Sequence, residues 1–378
     1  MIISTAPDIL QAYDKDGDGK ADEINPIFRG FAEGNQQHRV NGLRYGIDHR
    51  LYLANGDSGG TVTSVKTGKS MDIRGRDLWI NPDTGEMATT SGQTQFGRNC
   101  DDWQNWFGGN NSNPMWHYVL DESYLSRNPH VSFPSLRNPV SIAPGTSPVF
   151  PLSETLERYN DFKMANRFTS ACSPNIYRDQ LLGKNFYGNA FICEPVHNLV
   201  HREVMKESGS SWISERAADE QRSEFLASRD SWFRPVMIRT APDGTIWVAD
   251  MYRLVIEHPE WITPERQAEL DLRSGHDRGR IYRVTNSEHR RQSIIQLDPT
   301  DAETLAKNFG SSNGWVRNIS QQMLIWNAHH HVAPLLQQML RDHKEATARL
   351  HCIATLQALG ALTVDDLIVA LRDKHPGV

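Results

Sequence analysis

No run of about 18 apolar residues, the length a helix needs to cross a bilayer, occurs in the 378-residue chain. No basic segment followed by an apolar one stands at its start as a signal peptide would. Cysteine is scarce. Cys100, Cys172, Cys193 and Cys352 are widely spaced and form neither Cys-x-x-Cys nor Cys-x-x-Cys-His, which excludes a zinc ribbon and a covalent c-type haem in this chain. One disulfide, such as Cys172 with Cys193, and four isolated buried thiols both agree with that spacing. Basic charge is not in excess: the net charge is −6 and the pI about 6.2. A nucleic-acid partner is therefore not expected, since it would call for a basic stripe.

What is abundant points to β-structure. Ten Trp, ten Tyr, 27 Gly and 19 Pro suit short strands and many turns better than a helical bundle. Asp48-His-Arg-Leu-Tyr-Leu-Ala54 matches Asp243-Gly-Thr-Ile-Trp-Val-Ala249 column for column, each a turn Asp followed by aliphatic, aromatic, aliphatic and Ala. The interval between the copies divides into about four spans of ~49 residues, close to one four-stranded propeller blade. Further strands are expected over 78–87, 189–193 and 199–204, with a last one over 279–284. The fold class is thus mainly β: residues 1–285 read as an incomplete six-bladed-type β-propeller with about five blades present.

After residue 286 helical patterns replace strand patterns, so a linker is expected over 286–300 and HEAT-like helical repeats over 301–378. Segments 316–324 and 348–356 share a small residue or Val, then Arg, a central aliphatic residue and a final Leu. Leu335, Leu336, Met339 and Leu340, and then Leu367, Ile368 and Leu371, supply their partner helices. His329-His-His331 cannot share one helix face and reads as a connecting loop. The chain opens on a strand and stops where a helix is due, so it reads as a fragment of a longer protein.

Asp14-Lys-Asp-Gly-Asp-Gly-Lys-Ala-Asp22 is the strongest metal signal. Carboxylates of Asp14, Asp16, Asp18 and Asp22, with the Lys20 carbonyl and Gly19 at the sharp turn, can surround Ca²⁺ with oxygen. Where an EF-hand would place its closing Glu the chain has Asn25, followed by Pro26. A stabilising calcium loop is therefore expected rather than an EF-hand.

His38 precedes Leu43 and Tyr45, a turn at Gly46, the apolar run Leu51 to Ala54, and Gly56-Asp57. This stretch resembles the histidine-bearing blade of the soluble quinoprotein glucose dehydrogenases and aldose sugar dehydrogenases. The resemblance implies that His38 takes the proton from a sugar or alcohol hydroxyl while hydride passes to pyrroloquinoline quinone (PQQ), as a neutral imidazole can. Gly97-Arg98-Asn99 resembles the pair that contacts the quinone in that family, and the family's further arginine pair before the Pro-Asp-Gly turn is represented at best by Arg234, with Arg239 out of register. Trp103 and Trp106 lie in a polar loop that could stack a sugar or a flat cofactor. The family's lysine is missing; Val196 and His197 occupy the comparable segment.

Over most of its length, through Arg234-Pro-Val, Asp250-Met-Tyr-Arg253 and Ile256-Glu-His-Pro-Glu-Trp261, the chain resembles the proteins termed membrane-bound dehydrogenases of planctomycetes and related bacteria. That implies a periplasmic or envelope location and an external electron acceptor, such as a c-type cytochrome domain. The sequence leaves two functions: a PQQ-dependent sugar or alcohol dehydrogenase, and a non-catalytic propeller that binds carbohydrate or protein at its mouth.

Overall fold

Runs of aliphatic and aromatic residues broken by Asp, Asn and Gly turns fold into short strands paired by hairpins. The computed structural model describes residues 1–128, 130–132, 136–141, 147–154, 166–288 and 293–378. Among these, five sheets with antiparallel strand pairing precede a group of helices.

The first sheet joins β1 (Ile2–Thr5), β2 (Asp8–Tyr13), β3 (Glu23–Phe31), β6 (Gly60–Ser64) and β7 (Ser70–Asp72) in that order. The second joins β4 (Asn41–Tyr45), β5 (Leu51–Ala54), β8 (Asp77–Ile80) and β9 (Met87–Thr90). The two are interleaved: the chain leaves the first sheet after β3, returns for β6 and β7, and then completes the second. The third sheet runs β10 (Asn99–Cys100), β11 (Trp106–Gly108), β12 (Trp116–Tyr118), β13 (Arg137–Pro139). The fourth runs β14 (Cys172–Ile176), β15 (Ala190–Glu194), β16 (Leu199–Ser208), β17 (Ser211–Arg216), with β18 (Leu226–Ala227) also on β16. The fifth is β19 (Pro235–Thr240), β20 (Ile246–Asp250) and β21 (Arg280–Val284).

Both matched segments form the second strand of a sheet, β5 and β20. They lie three sheets apart, however, where the spacing implied four intervals. Long connections in the third and fourth sheets stretch the repeat, and the interleaving of the first two sheets breaks its regularity.

Each sheet buries one face against the next. Phe28, Phe31, Leu53 and Leu78 fill the space between the first and second, and Tyr52, Cys100, Trp106 and Tyr118 that between the second and third. Phe107, Ile176 and Ile192 join the third to the fourth, and Phe191, Val200, Ile238 and Val248 the fourth to the fifth. The first strands of the last four sheets run side by side. Gly97 N donates to Asn41 Oδ1 (2.8 Å), Asn99 Nδ2 to Asn175 Oδ1 (2.7 Å) and Ile238 N to Ser173 Oγ (3.2 Å). Close approach needs glycine here: a Cβ on Gly42, at φ +67°, would lie 2.8 Å from the Gly97 Cα.

The strands end at Val284, and α3 (Ala302–Lys307) opens a helical layer of α4 (Gly314–Trp326), α5 (Ala333–Asp342), α6 (Ala346–Ala358) and α7 (Val364–Leu371). Short α1 (Glu122–Leu125) and α2 (Pro264–Glu269) lie in earlier loops. Within the expected linker, residues 289–292 lie outside the described residues. Leu305, Phe309, Leu324, Leu336, Leu340, Cys352 and Leu356 form the helical core. Asn313 caps α4 through the N–H groups of Trp315 and Val316, and Thr363 with Asp366 forms a capping box on α7. His329 to His331 lie in the turn before α5, where His330 Nδ1 sits 3.1 Å from the Leu359 carbonyl oxygen. All four cysteines are free and buried, with Cys172 facing Cys193 across β14 and β15.

Helix α4 crosses the carboxyl-terminal ends of all four first strands. Gln321 Nε2 donates to the Ile47 carbonyl oxygen beyond β4 (2.8 Å), and Arg317 pairs with Asp102 beyond β10. Gly314 N donates to Arg178 O beyond β14 (2.8 Å), and Asn313 Nδ2 to Ala241 O beyond β19 (2.9 Å). One end of the strand cluster is thus covered by helix. The other carries His38.

Candidate functional site

His38 ends a single 3₁₀ turn, Gln36–His38, just ahead of β4. Its backbone is held on both sides: its N–H donates to Asn35 O (2.9 Å) and its carbonyl accepts from Ser58 N (3.1 Å). The half-buried ring meets the edge of Phe96 at 6.3 Å and places Nε2 2.7 Å from Gln95 Nε2. Gln95 Oε1 accepts from Asn111 N (2.9 Å), which assigns the amide orientation and turns its NH₂ toward the imidazole. An amide nitrogen only donates, so His38 Nε2 accepts and the ring proton sits on Nδ1. Burial raises the Asp57 carboxyl above the usual carboxylate range, opposed by the nearby His38 and by a hydrogen bond from Gln93. Gln37 Nε2 donates to Ile256 O (2.7 Å), tying the His38 turn to the connection between β20 and β21 of the fifth sheet.

Gln95 orients the imidazole, yet sequence reasoning passed over it. It stands three residues before Arg98 with no pattern of its own; only a polar residue beside Phe96 in a strand-entry loop could have drawn attention to it.

The expected cofactor contacts turn elsewhere. Arg98 is 2% exposed; its NH1 donates to Asp77 Oδ2 (2.9 Å) and Ser91 O (2.7 Å), and its guanidinium lies 4.6 Å from the Tyr118 ring centroid and 5.0 Å from that of Trp106. Asp77 is itself fully buried and also binds the N–H groups of Asn55 and Thr94. Asn99 is fully buried and joins β10 to β14. Arg234 gives its guanidinium to the carbonyl oxygens of Pro195, Val196, Arg253 and Leu254. These groups lock sheets together and do not join His38, so they do not fit the carboxylates and carbonyls of a quinone.

Neither Trp103 nor Trp106 lies beside His38. Trp106 belongs to the core between the second and third sheets, and Trp103 stacks on His375 at 4.1 Å at the helix-covered end. Both depart from the substrate-binding expectation because one faces the neighbouring sheet and the other meets the chain's last turn.

In the β2–β3 hairpin loop the exposed Asp14, Asp16 and Asp18 bring ligand oxygens within 4.8 Å of one another. Asp14 receives Gly17 N and Gly19 N (2.8 and 2.9 Å), and Lys20 N donates to Asp18 Oδ1 (2.8 Å). Each carboxylate keeps lone pairs for a hard cation, so Asp14, Asp16 and Asp18 fit one. Asp22 is turned to Lys15 N (2.6 Å) and lies outside that triplet.

Residues 1–288 match the family model described as "Domain of unknown function (DUF7133)", and the chain belongs to that family. No curated protein matches it. Among solved structures it is similar to a glucose dehydrogenase at 14% identity, covering 64% of this chain and 69% of that one, with a TM-score of 0.38. It is also similar to the soluble aldose sugar dehydrogenase from Escherichia coli in the apo form, at 14% identity over 64% of this chain and 70% of that one, with a TM-score of 0.36.

Proposed function

We propose that the chain is an oxidoreductase of sugar or alcohol dehydrogenase type, with His38 as proton acceptor at the end of the strand cluster opposite α4. The observation that carries this is the Gln95 amide, held by Asn111 so that His38 Nε2 presents a lone pair. A substrate hydroxyl that displaces the amide gives its proton to Nε2; hydride leaves the same carbon for a two-electron acceptor, and a carbonyl remains. The carboxyl group of Asp57, close enough to interact with the ring, offers a countercharge to the imidazolium so formed. PQQ is the acceptor the sequence suggests, but its contacts must lie outside Arg98, Asn99 and Arg234.

In the same proposal the five sheets are blades of an incomplete six-bladed-type propeller and α3 to α7 are HEAT-like repeats. Sheet-on-sheet cores and the side-by-side first strands support that reading. Ca²⁺ at Asp14, Asp16, Asp18 and the Lys20 carbonyl, with Asp22 nearby, is proposed as a stabilising ion. An envelope location and a c-type cytochrome as onward acceptor rest on the sequence resemblance alone.

The test offers aldoses and primary alcohols with an artificial electron acceptor, with and without PQQ and Ca²⁺. Turnover that falls about 10²–10⁴-fold in His38→Ala is the expected result. Turnover indifferent to His38, or none with any acceptor, overturns the proposal. A second reading, a non-catalytic propeller binding carbohydrate or protein, is favoured by the internal engagement of Arg98, Asn99 and Arg234. Saturable oligosaccharide binding without turnover would put it in front.

A further inference from the structure

At the helix-covered end, opposite His38, lies a cavity of about 460 Å³ between the ends of β4 and β19 and the face of α4. Arg44, Arg178 and Arg239 line it, with Leu43, Trp247, Trp315 and Ile319 on its apolar walls. A volume of this size falls within the range that small organic ligands occupy, about 300–1,000 Å³.

The charges at this cavity do not balance. Asp102 is the carboxylate of the cluster, and it is already engaged by Arg178 (2.5 Å to Nε), by Arg317 and by the Tyr187 hydroxyl (2.6 Å). Among the described residues neither Arg44 nor Arg239 has a carboxylate within ion-pair distance. Burial depresses the Arg239 guanidinium to about 9, and Arg44 beside it pushes the same way. Burial also lowers Arg44, opposed by the hydrogen-bonded Cys100 side chain and by Asp102, while Arg178 adds to the lowering. Arg239 has neutral partners, Ser173 Oγ at 3.0 Å and its own residue's neighbour Ile238 O at 2.8 Å. A further donor is unmet: the Trp247 indole N–H is buried without an acceptor.

Two like-charged guanidiniums in a low-dielectric space are unfavourable until an anion lies between them. Their planar forks match a carboxylate, and the tryptophan, leucine and isoleucine walls suit an apolar body. We infer that this cavity is a binding site for an organic carboxylate, whose charged group lies between Arg44 and Arg239 and whose apolar part rests against Trp247 and Trp315. The site is separate from the His38 end and does not depend on the reaction proposed there.

The experiment measures binding of 2-naphthoate to the full chain by calorimetry and thermal shift, beside its neutral isostere 2-naphthalenemethanol and inorganic phosphate. Saturable binding of 2-naphthoate is expected, weakened at least about tenfold in Arg44→Met and in Arg239→Met and unchanged in His38→Ala. Phosphate and the neutral isostere should bind far more weakly. Without ligand, Arg239→Met should melt no lower than wild type, because it removes an unopposed buried charge. Absence of 2-naphthoate binding overturns the inference, as does binding that ignores both arginines, or phosphate binding of equal strength. An unliganded Arg239→Met that melts well below wild type assigns the arginine a structural role and also overturns it.

Discussion

The Gln95 amide nitrogen lies 2.7 Å from His38 Nε2, and Asn111 N, 2.9 Å from the amide oxygen, holds it there. The pair joins the strand-entry loops of the second and third sheets and sets which nitrogen of His38 carries the proton. Nitrogen-15 spectra should show His38 as the Nδ1–H tautomer. Gln95→Leu should free the tautomer balance and cost about 1–3 kcal/mol, because the Asn111 N–H loses its acceptor. An Nε2–H tautomer in the wild type would contradict the arrangement.

Arg98 distinguishes cofactor binding from architecture. With Asp77 fully buried beside it, Arg98→Met should lower stability by about 3–5 kcal/mol, measured by urea unfolding, since an uncompensated buried carboxylate remains. A variant that folds as well as wild type and loses only quinone affinity would return Arg98 to the cofactor.

His201 should give the stability curve an alkaline limb. Burial disfavours its charge, but hydrogen bonds to Glu203 (3.0 Å) and Glu224 (2.7 Å) outweigh burial and raise the imidazole from 6.5 to about 9. A group whose folded value is raised contributes fully below its unfolded value, and that contribution is lost as pH climbs through the folded one. Unfolding free energy should therefore fall by on the order of 3 kcal/mol between about pH 6 and about pH 10, and His201→Gln should flatten this slope. An unchanged slope in the variant would assign it to other groups.

Calcium should raise the melting temperature through the β2–β3 loop by mass action. Asp16→Ala should abolish the increment while leaving the calcium-free unfolding free energy within about 0.5 kcal/mol of wild type, as expected of an exposed loop residue. An equal calcium response in both proteins would remove the loop from consideration.

Strand identity was legible wherever the signal is local. Asp48 and Asp243 begin turns that lead into β5 and β20, and the Gly244 turn closes with its N–H on Ala241 O. The acidic hairpin loop and the change to helix after β21 were legible for the same reason: each depends on residues adjacent in the chain. The order of strands in the first two sheets was not. Nothing near Gly60 or Ser70 marks β6 and β7 for a sheet the chain has already left, because pairing there is decided by Phe28 and Arg29 across the register.

By itself, then, the sequence determined the strands of the two matched segments, the change to helix after β21 and the polar loop of Asp14 to Asp22. Tertiary structure alone decided what the charged and aromatic side chains touch. Arg98 and Asn99 carry the same letters whether they meet a cofactor or a neighbouring sheet; it is the buried Asp77 and Asn175 that offer them partners, in an interior where an unpaired polar group is costly. Arg44 and Arg239 are far apart in the chain. They become neighbours only because the ends of β4 and β19 meet beneath α4, where two charges share one cavity.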